Sequence, residues 1–285
     1  MTFNIPSLRD KAITVRLTRR MYNPYRYDAR ATAAAETATG TQGAGRFSKR
    51  LLRHCPELKK ATAAYNDLYQ YVIENTLPWM DDGVRVLPNA NYMDFVAELA
   101  KLRSQADAAV QKLFEAWDVR VAEDKNWLGG MWDPHDYPTK GDMLEKWGNS
   151  ITFAPVPSSD DFRIDMDEED KRQLDEAVQE VQDQAGDYLL KQILAPVAAM
   201  ADKLAVPIGE EGSVFRDTLV TNLQDVCKRA KKLNINGDER VAEIVNQIES
   251  VTKNLMPSTL RESEVVRATT SAVMAGVRSK INAWF

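Results

Sequence analysis

Along most of this chain, apolar residues recur at the three-to-four spacing that places them on one face of a helix. After Pro56 the stripe Leu58, Ala61, Tyr65, Leu68, Tyr69 and Val72 predicts a helix ending near Leu77-Pro78. Tyr92, Phe95, Leu99, Leu102, Ala106, Val110, Leu113 and Trp117 predict a second, longer helix that starts close to Asn91. A third stripe runs through Leu174, Val178, Val181, Ala185, Tyr188, Ile193, Val197, Met200 and Leu204, long enough for coiled-coil-like packing and expected to kink at Pro196. Residues 214–233, 238–255 and 263–284 give three more amphipathic helices, the last rich in Ala and Ser, with Gly276 allowing another helix close.

The period changes to two in a few places. Ile13, Val15 and Leu17 alternate with Thr14, Arg16 and Thr18, as in a half-buried strand with a basic outer face. Residues 151–156 (ITFAPV) and 162–166 (FRIDM) flank the turn-forming Pro157-Ser158-Ser159-Asp160 and predict a hairpin. Together these segments predict a mainly α fold: a bundle of long antiparallel helices with a small antiparallel β-sheet. Asn23-Pro24 ends the first strand. From Asp28 to Gly45 there is no aromatic or branched aliphatic residue, so this Ala/Thr/Gly stretch is expected to be a mobile loop. The expected organisation is an arm of strand and loop over residues 1–60, packed on a helical body over 61–285 with a central β-hairpin at about 150–166.

Charge sharpens that division. Residues 1–60 carry 13 Lys/Arg against four acidic residues, a balance of +9 in a chain of net charge −5, so residues 61–285 sum to −14. A positive segment on a negative body points to a polyanion, with nucleic acid as the first candidate. Single-strand binding needs cations that follow phosphates and flat rings on which unpaired bases stack. Arg16, Arg19, Arg20, Arg26, Arg30, Arg46, Lys49, Arg50 and Arg53 offer the first, and Tyr22, Tyr25, Tyr27 and Phe47 the second. Stacking is tolerant of base identity, so the expected binding is weakly sequence-specific. The competing structural role has the tyrosines packing on a sheet edge and the arginines forming a solvated face. Lys228, Arg229, Lys231 and Lys232 form a second basic patch, read as capping the end of their own helix.

The chain is poor in other chemistry. It has 285 residues, enough to bury a substantial core, and no apolar stretch long enough to span a bilayer; the N-terminus lacks a signal-peptide run, so a soluble cytosolic protein is expected. Cys55 and Cys227 are isolated, and His54 and His135 are the two histidines. Neither a disulfide framework nor a zinc site is expected, and no P-loop, GxGxxG or HExxH motif occurs. Gly40, Gly43 and Gly45 lack the Lys-Ser/Thr that completes a phosphate loop. The acidic run Asp160, Asp161, Asp165, Asp167, Glu168, Glu169 and Asp170 is weighed as a two-metal nuclease site, but helix N-terminal capping accounts for its second half more simply. No enzyme activity, metal or cofactor is therefore expected. A self-associating structural or assembly protein, or a carboxylate-dependent nuclease, are the alternative readings.

The ordered motifs LPWMDDGVRVLPNANYMDFVAELAKLRSQADAAVQKLF (77–114), Tyr137-Pro138, FAPVPSSDDFRID (153–165), VFRDTLVTNLQDV (214–226) and LNINGDERV (233–241) resemble a family of bacteriophage proteins. Among characterised proteins the chain resembles Drc, the single-stranded-DNA-binding RNA polymerase cofactor of podoviruses that package a giant virion RNA polymerase. The resemblance covers roughly residues 65 to 245. It implies a helical, non-OB fold, single-stranded DNA as ligand, recruitment of a phage RNA polymerase for transcription, and the cytoplasm of an infected bacterial host. The site residues above come from charge and stacking, since the family supplies no residue-by-residue match. A homo-oligomer is expected, with Trp284-Phe285 at its contact.

Overall fold

A computed structural model of the chain describes residues 8–79, 83–157, 167–211, 216–253 and 255–285, with Leu174 described in its backbone alone. In chain order the elements are α1 (Leu8–Lys11), β1 (Ala12–Arg20), β2 (Tyr25–Tyr27), α2 (Ala29–Thr39), β3 (Ser48–Arg50), α3 (Pro56–Glu74), β4 (Leu77–Pro78) and β5 (Arg85–Pro88). They continue with α4 (Tyr92–Leu128), α5 (Lys140–Glu145), β6 (Gly148–Pro155), α6 (Glu168–Ala205), α7 (Thr218–Leu233), α8 (Glu239–Thr252), α9 (Pro257–Glu262) and α10 (Glu264–Asn282). The fold is mainly helical, with an open four-stranded sheet in the order β4-β5-β1-β6 and a separate β2-β3 ribbon. No described helix is long and apolar enough to cross a membrane.

The chain forms two compact units, and the division does not fall at residue 60. One unit comprises residues 1–16, 73–93 and 153–285; the other comprises 17–72 and 94–152. In the first, α6, α7, α8, α9 and α10 enclose a core that includes Leu190, Ile193, Val197, Met200, Leu223, Ile244, Ile248, Met274, Val277 and Ile281. The expected stripe on α6 supplies one wall of it, and α6 runs through Pro196 without ending. The C-terminal carbonyls of α6 lack helical partners, and the buried Arg267 of α10 satisfies two of them, donating from Nε to Leu204 O (3.3 Å) and from a terminal nitrogen to Lys203 O (2.9 Å). Trp284 packs against this core and Phe285 lies beneath the Lys191 ammonium, 4.7 Å from the ring centre.

In the second unit the apolar faces of α3 and α4 meet. Leu58, Ala61 and Tyr65 pack with Ala106, Val110, Leu113 and Trp117, joined by Leu51, Leu52, Cys55, Met143 and Trp147. Trp117 and Tyr65 are among the largest fully buried side chains. Burying each such ring contributes roughly 2 to 3 kcal/mol to the stability of the unit.

One local expectation changes. Residues 29–39 form a helix, not a loop: Asp28 caps its start by accepting from Ala31 N (2.9 Å), and Gly40 closes its end in the left-handed region at φ 68°. Alanine has the highest helix propensity, so a segment with no apolar stripe to bury still folds once both ends are capped. Of the expected central hairpin, the first strand is β6, while residues 162–166 lie outside the described residues.

Candidate nucleic-acid interface

The ribbon grows out of a turn. Asn23 Oδ1 accepts from Tyr25 N (3.0 Å), an Asx turn that Pro24 pre-sets, and Pro24 O then accepts from Leu51 N (2.8 Å). Strand β2 pairs antiparallel with β3 in the register Tyr25 to Arg50, Arg26 to Lys49 and Tyr27 to Ser48. A further rung, Asp28 N to Phe47 O at 3.0 Å, closes the ribbon just before α2 departs. Thr32 ties that helix down, donating to Asp28 O (2.8 Å) and accepting from Phe47 N (3.0 Å).

With a side-chain period of two, the ribbon has one face turned inward. Lys49 is only 6% exposed there. Its ammonium uses all three protons, on Asp136 (2.6 Å), Met131 O (2.7 Å) and Asp28 (3.3 Å). Burial alone would lower its pKa, but the bonds to Asp136 and Asp28 outweigh that and hold it above its ordinary value. Arg26 is also committed, to Asp136 O (3.2 Å), Asn23 O (3.0 Å) and Tyr25 O (2.9 Å). Tyr22, at 4% exposure, sits edge-on against Trp117 with ring centres 5.5 Å apart. Burial pushes its phenol up to about 12. Two residues expected to meet nucleic acid, Tyr22 and Lys49, are thus core and buried ion pair: a ring and an ammonium with partners inside the unit have no face or donor left for a ligand.

The outer face is different. Tyr25 is 50% exposed and Tyr27 46%; Phe47, opposite Asp28 where the ribbon ends, is 43% exposed. The Arg46 guanidinium lies 4.6 Å from the Tyr27 ring centre and that of Arg50 5.8 Å from Tyr25. Past β3 the exposed Arg53 lies 5.8 Å from the ring centre of Trp127, against which His54 packs edge-on at 4.2 Å. Trp127 is 54% exposed. Arg20 and Arg30 are exposed elsewhere on this unit; Arg19 is folded onto α3, bonded to Asn66 Oδ1 (2.8 Å) and 4.1 Å from the Tyr69 ring centre. Arg16 belongs to the other unit. The structure therefore pairs Tyr25 with Arg50 and Tyr27 with Arg46 on one ribbon, with Phe47 exposed at its end and Arg53 past it beside Trp127.

Trp127 and His54 were not among the expected site residues. The signal for Trp127 is its phase: ten positions after Trp117 it falls roughly 80° away from the core stripe of α4, just before Gly129-Gly130.

The remaining candidates for chemistry are engaged structurally. Burial pushes the Cys55 thiol up to about 11 and that of Cys227 up to about 12, away from the thiolate form a nucleophile needs. His135 bonds to Asp133 (2.9 Å) at the surface. Asp167 caps α6, accepting from Asp170 N at 2.8 Å, and Glu168 and Glu169 pair with Lys171 and Arg172. Asp160, Asp161 and Asp165 lie outside the described residues, among which no group of three or more His, Cys, Asp or Glu is placed to hold a metal. In the second basic patch Lys228 pairs with Asp225, Arg229 with Glu74 and Lys231 with Glu249. Comparison of the chain with protein-family models, with curated proteins and with solved structures finds no match.

Proposed function

We propose that this chain binds single-stranded DNA on the outer face of the β2-β3 ribbon, without strong sequence preference and without a reaction of its own. The observation that carries the reading is the pairing of exposed tyrosines with guanidiniums on one short ribbon. Side chains two apart on a strand stand about 6.6 Å apart, roughly twice the 3.4 Å step between bases in one strand of a duplex. Tyr25 and Tyr27 therefore suit an extended strand whose bases are unstacked from each other, and a duplex fits them poorly.

The guanidiniums above the rings do not block such a strand. A cation over an exposed ring is worth about 0.5 to 1 kcal/mol, a base stacked on a ring about 1 to 3 kcal/mol. Exchange favours the base, and the displaced Arg46 and Arg50 then meet the phosphates of the same nucleotides.

The setting of the proposal comes from the sequence resemblance: a bacteriophage protein that holds melted DNA and recruits a phage RNA polymerase in the infected cell. Fluorescence anisotropy tests the binding step, using a labelled mixed-sequence single strand and its duplex over a salt series. The intact chain is expected to prefer the single strand, with affinity falling as salt rises, and Tyr25→Ala/Tyr27→Ala to lose most of it. Absence of binding by the intact chain at low salt would remove the proposal and favour an assembly role.

A further inference from the structure

Trp127 is the most exposed of the six tryptophans, all of which lie within the described residues, and it sits where the ribbon ends. Strand β3 leads directly into the turn 51–54, whose Leu52 N–H donates to Asp124 Oδ2 at 2.8 Å. Asp124 lies on α4 one turn before Trp127, so this bond fastens the end of the ribbon to the turn of helix that carries the indole. On the other side of the same bond, Arg53 and His54 reach the indole ring itself. The arrangement repeats that of the ribbon, an exposed ring with a guanidinium over it.

We infer that Trp127 is a base-stacking residue that continues the row begun by Tyr27 and Tyr25, with Arg53 taking the adjoining phosphate, so that one single strand of DNA runs from the ribbon onto the end of α4. An indole offers the largest stacking surface of any side chain, and nothing in the core of the unit requires this one: its ring is outside the cluster that Trp117 and Trp147 occupy. The inference rests on the proposed single-strand binding and extends its path by one ring that the basic segment of the sequence does not contain.

Intrinsic fluorescence separates the two ideas. An unlabelled oligothymidylate is titrated into the full chain while tryptophan emission is followed, and anisotropy with a labelled copy is measured in parallel. Stacking on Trp127 predicts quenching that saturates with the anisotropy signal. Trp127→Phe is expected to keep most of the affinity and lose most of the quenching. Trp127→Ala is expected to weaken binding about 5- to 150-fold, the equivalent of about 1 to 3 kcal/mol for one stacked base. Undiminished binding by Trp127→Ala, with the same quenching in Trp127→Phe as in the intact chain, overturns the inference and leaves the ribbon as the site. No anisotropy change with the intact chain overturns both.

Discussion

The backbone N–H of Leu52 donates to the buried carboxylate of Asp124 at 2.8 Å, and the same oxygen accepts from the Tyr137 hydroxyl at 2.5 Å. Leu52 needs that support. Its φ of 52° lies in the left-handed region, which costs a residue with a Cβ roughly 1 to 2 kcal/mol. Against this stands a fully buried leucine side chain, worth about 2 to 5 kcal/mol over its truncation. Burial wins, the strained turn persists, and it sets where Arg50 and Arg53 emerge.

Asp124→Ala leaves the buried Leu52 N–H without an acceptor, at about 1 to 3 kcal/mol, and takes one from the partly buried Tyr137 hydroxyl as well. The expected result in urea is a lowered unfolding midpoint with an unchanged slope, and a smaller loss for Tyr137→Phe, which removes one bond and strands no backbone group. Leu52→Gly relieves the backbone but gives up the side chain, so it too is expected to destabilise. A wild-type midpoint for Asp124→Ala would show that the carboxylate does not hold the turn.

Lys49 and Arg50 are neighbours in sequence with opposite expected roles. Lys49→Met strands Asp28 and Asp136 in a buried site, a loss of about 3 to 5 kcal/mol in stability. Measured where the variant is still folded, its DNA binding should keep the wild-type salt slope. Arg50→Ala, on the exposed face, is expected to stay within about 0.5 kcal/mol in stability and to reduce the salt slope by about 0.7, the share of one single-strand phosphate. A reduced slope for Lys49→Met would mean that the ammonium leaves its carboxylates for the DNA.

How far the sequence reveals these roles depends on the range of the interactions. The core stripes of α3, α4 and α6 are local patterns of large apolar residues, and the helices form where the period places them. The ribbon strands are three residues each, too short for a period to register, and they pair across an intervening helix. In one dimension Lys49 reads like Arg50, because what buries it is Asp136 and Met131, distant residues that the fold alone brings near. Helix α2 was legible in principle. Its capping residues Asp28 and Gly40 stand in the sequence, but a search for buried apolar residues passes over a helix whose stability comes from alanine propensity and caps.

Gly40→Ala places a Cβ at φ 68°, at a cost of roughly 1 to 2 kcal/mol. Because α2 has a single buried residue, Thr32, the loss should remain local. Amide exchange is expected to quicken across residues 33–40, while the global urea midpoint barely moves. A matching fall in the global midpoint would instead make α2 part of the cooperative core.

Glu57 and Arg120 join α3 to α4 through two parallel bonds of 2.8 Å. The guanidinium lowers the Glu57 carboxyl from 4.5 to about 2, with the opposing effect of burial overcome. Between those values the unfolded chain binds a proton that the folded chain does not, so stability rises with pH across the window. The contribution of the pair is complete above the unfolded value of 4.5 and is lost as pH falls toward about 2. Asp28, Asp133 and Asp238 are also held below their ordinary values, by hydrogen bonds that begin with Ala31 N, His135 N and Arg240 respectively, so acid weakens the protein at several sites at once. Comparison with Glu57→Gln isolates this one. The two urea midpoints should differ most at neutral pH and converge through the window, because a protonated Glu57 and a glutamine are both uncharged acceptors. Both side chains of the pair are partly exposed, so the gap should also narrow at high salt. A gap that persists unchanged at the acid end would assign the role of Glu57 to shape and hydrogen bonding, with its charge contributing nothing.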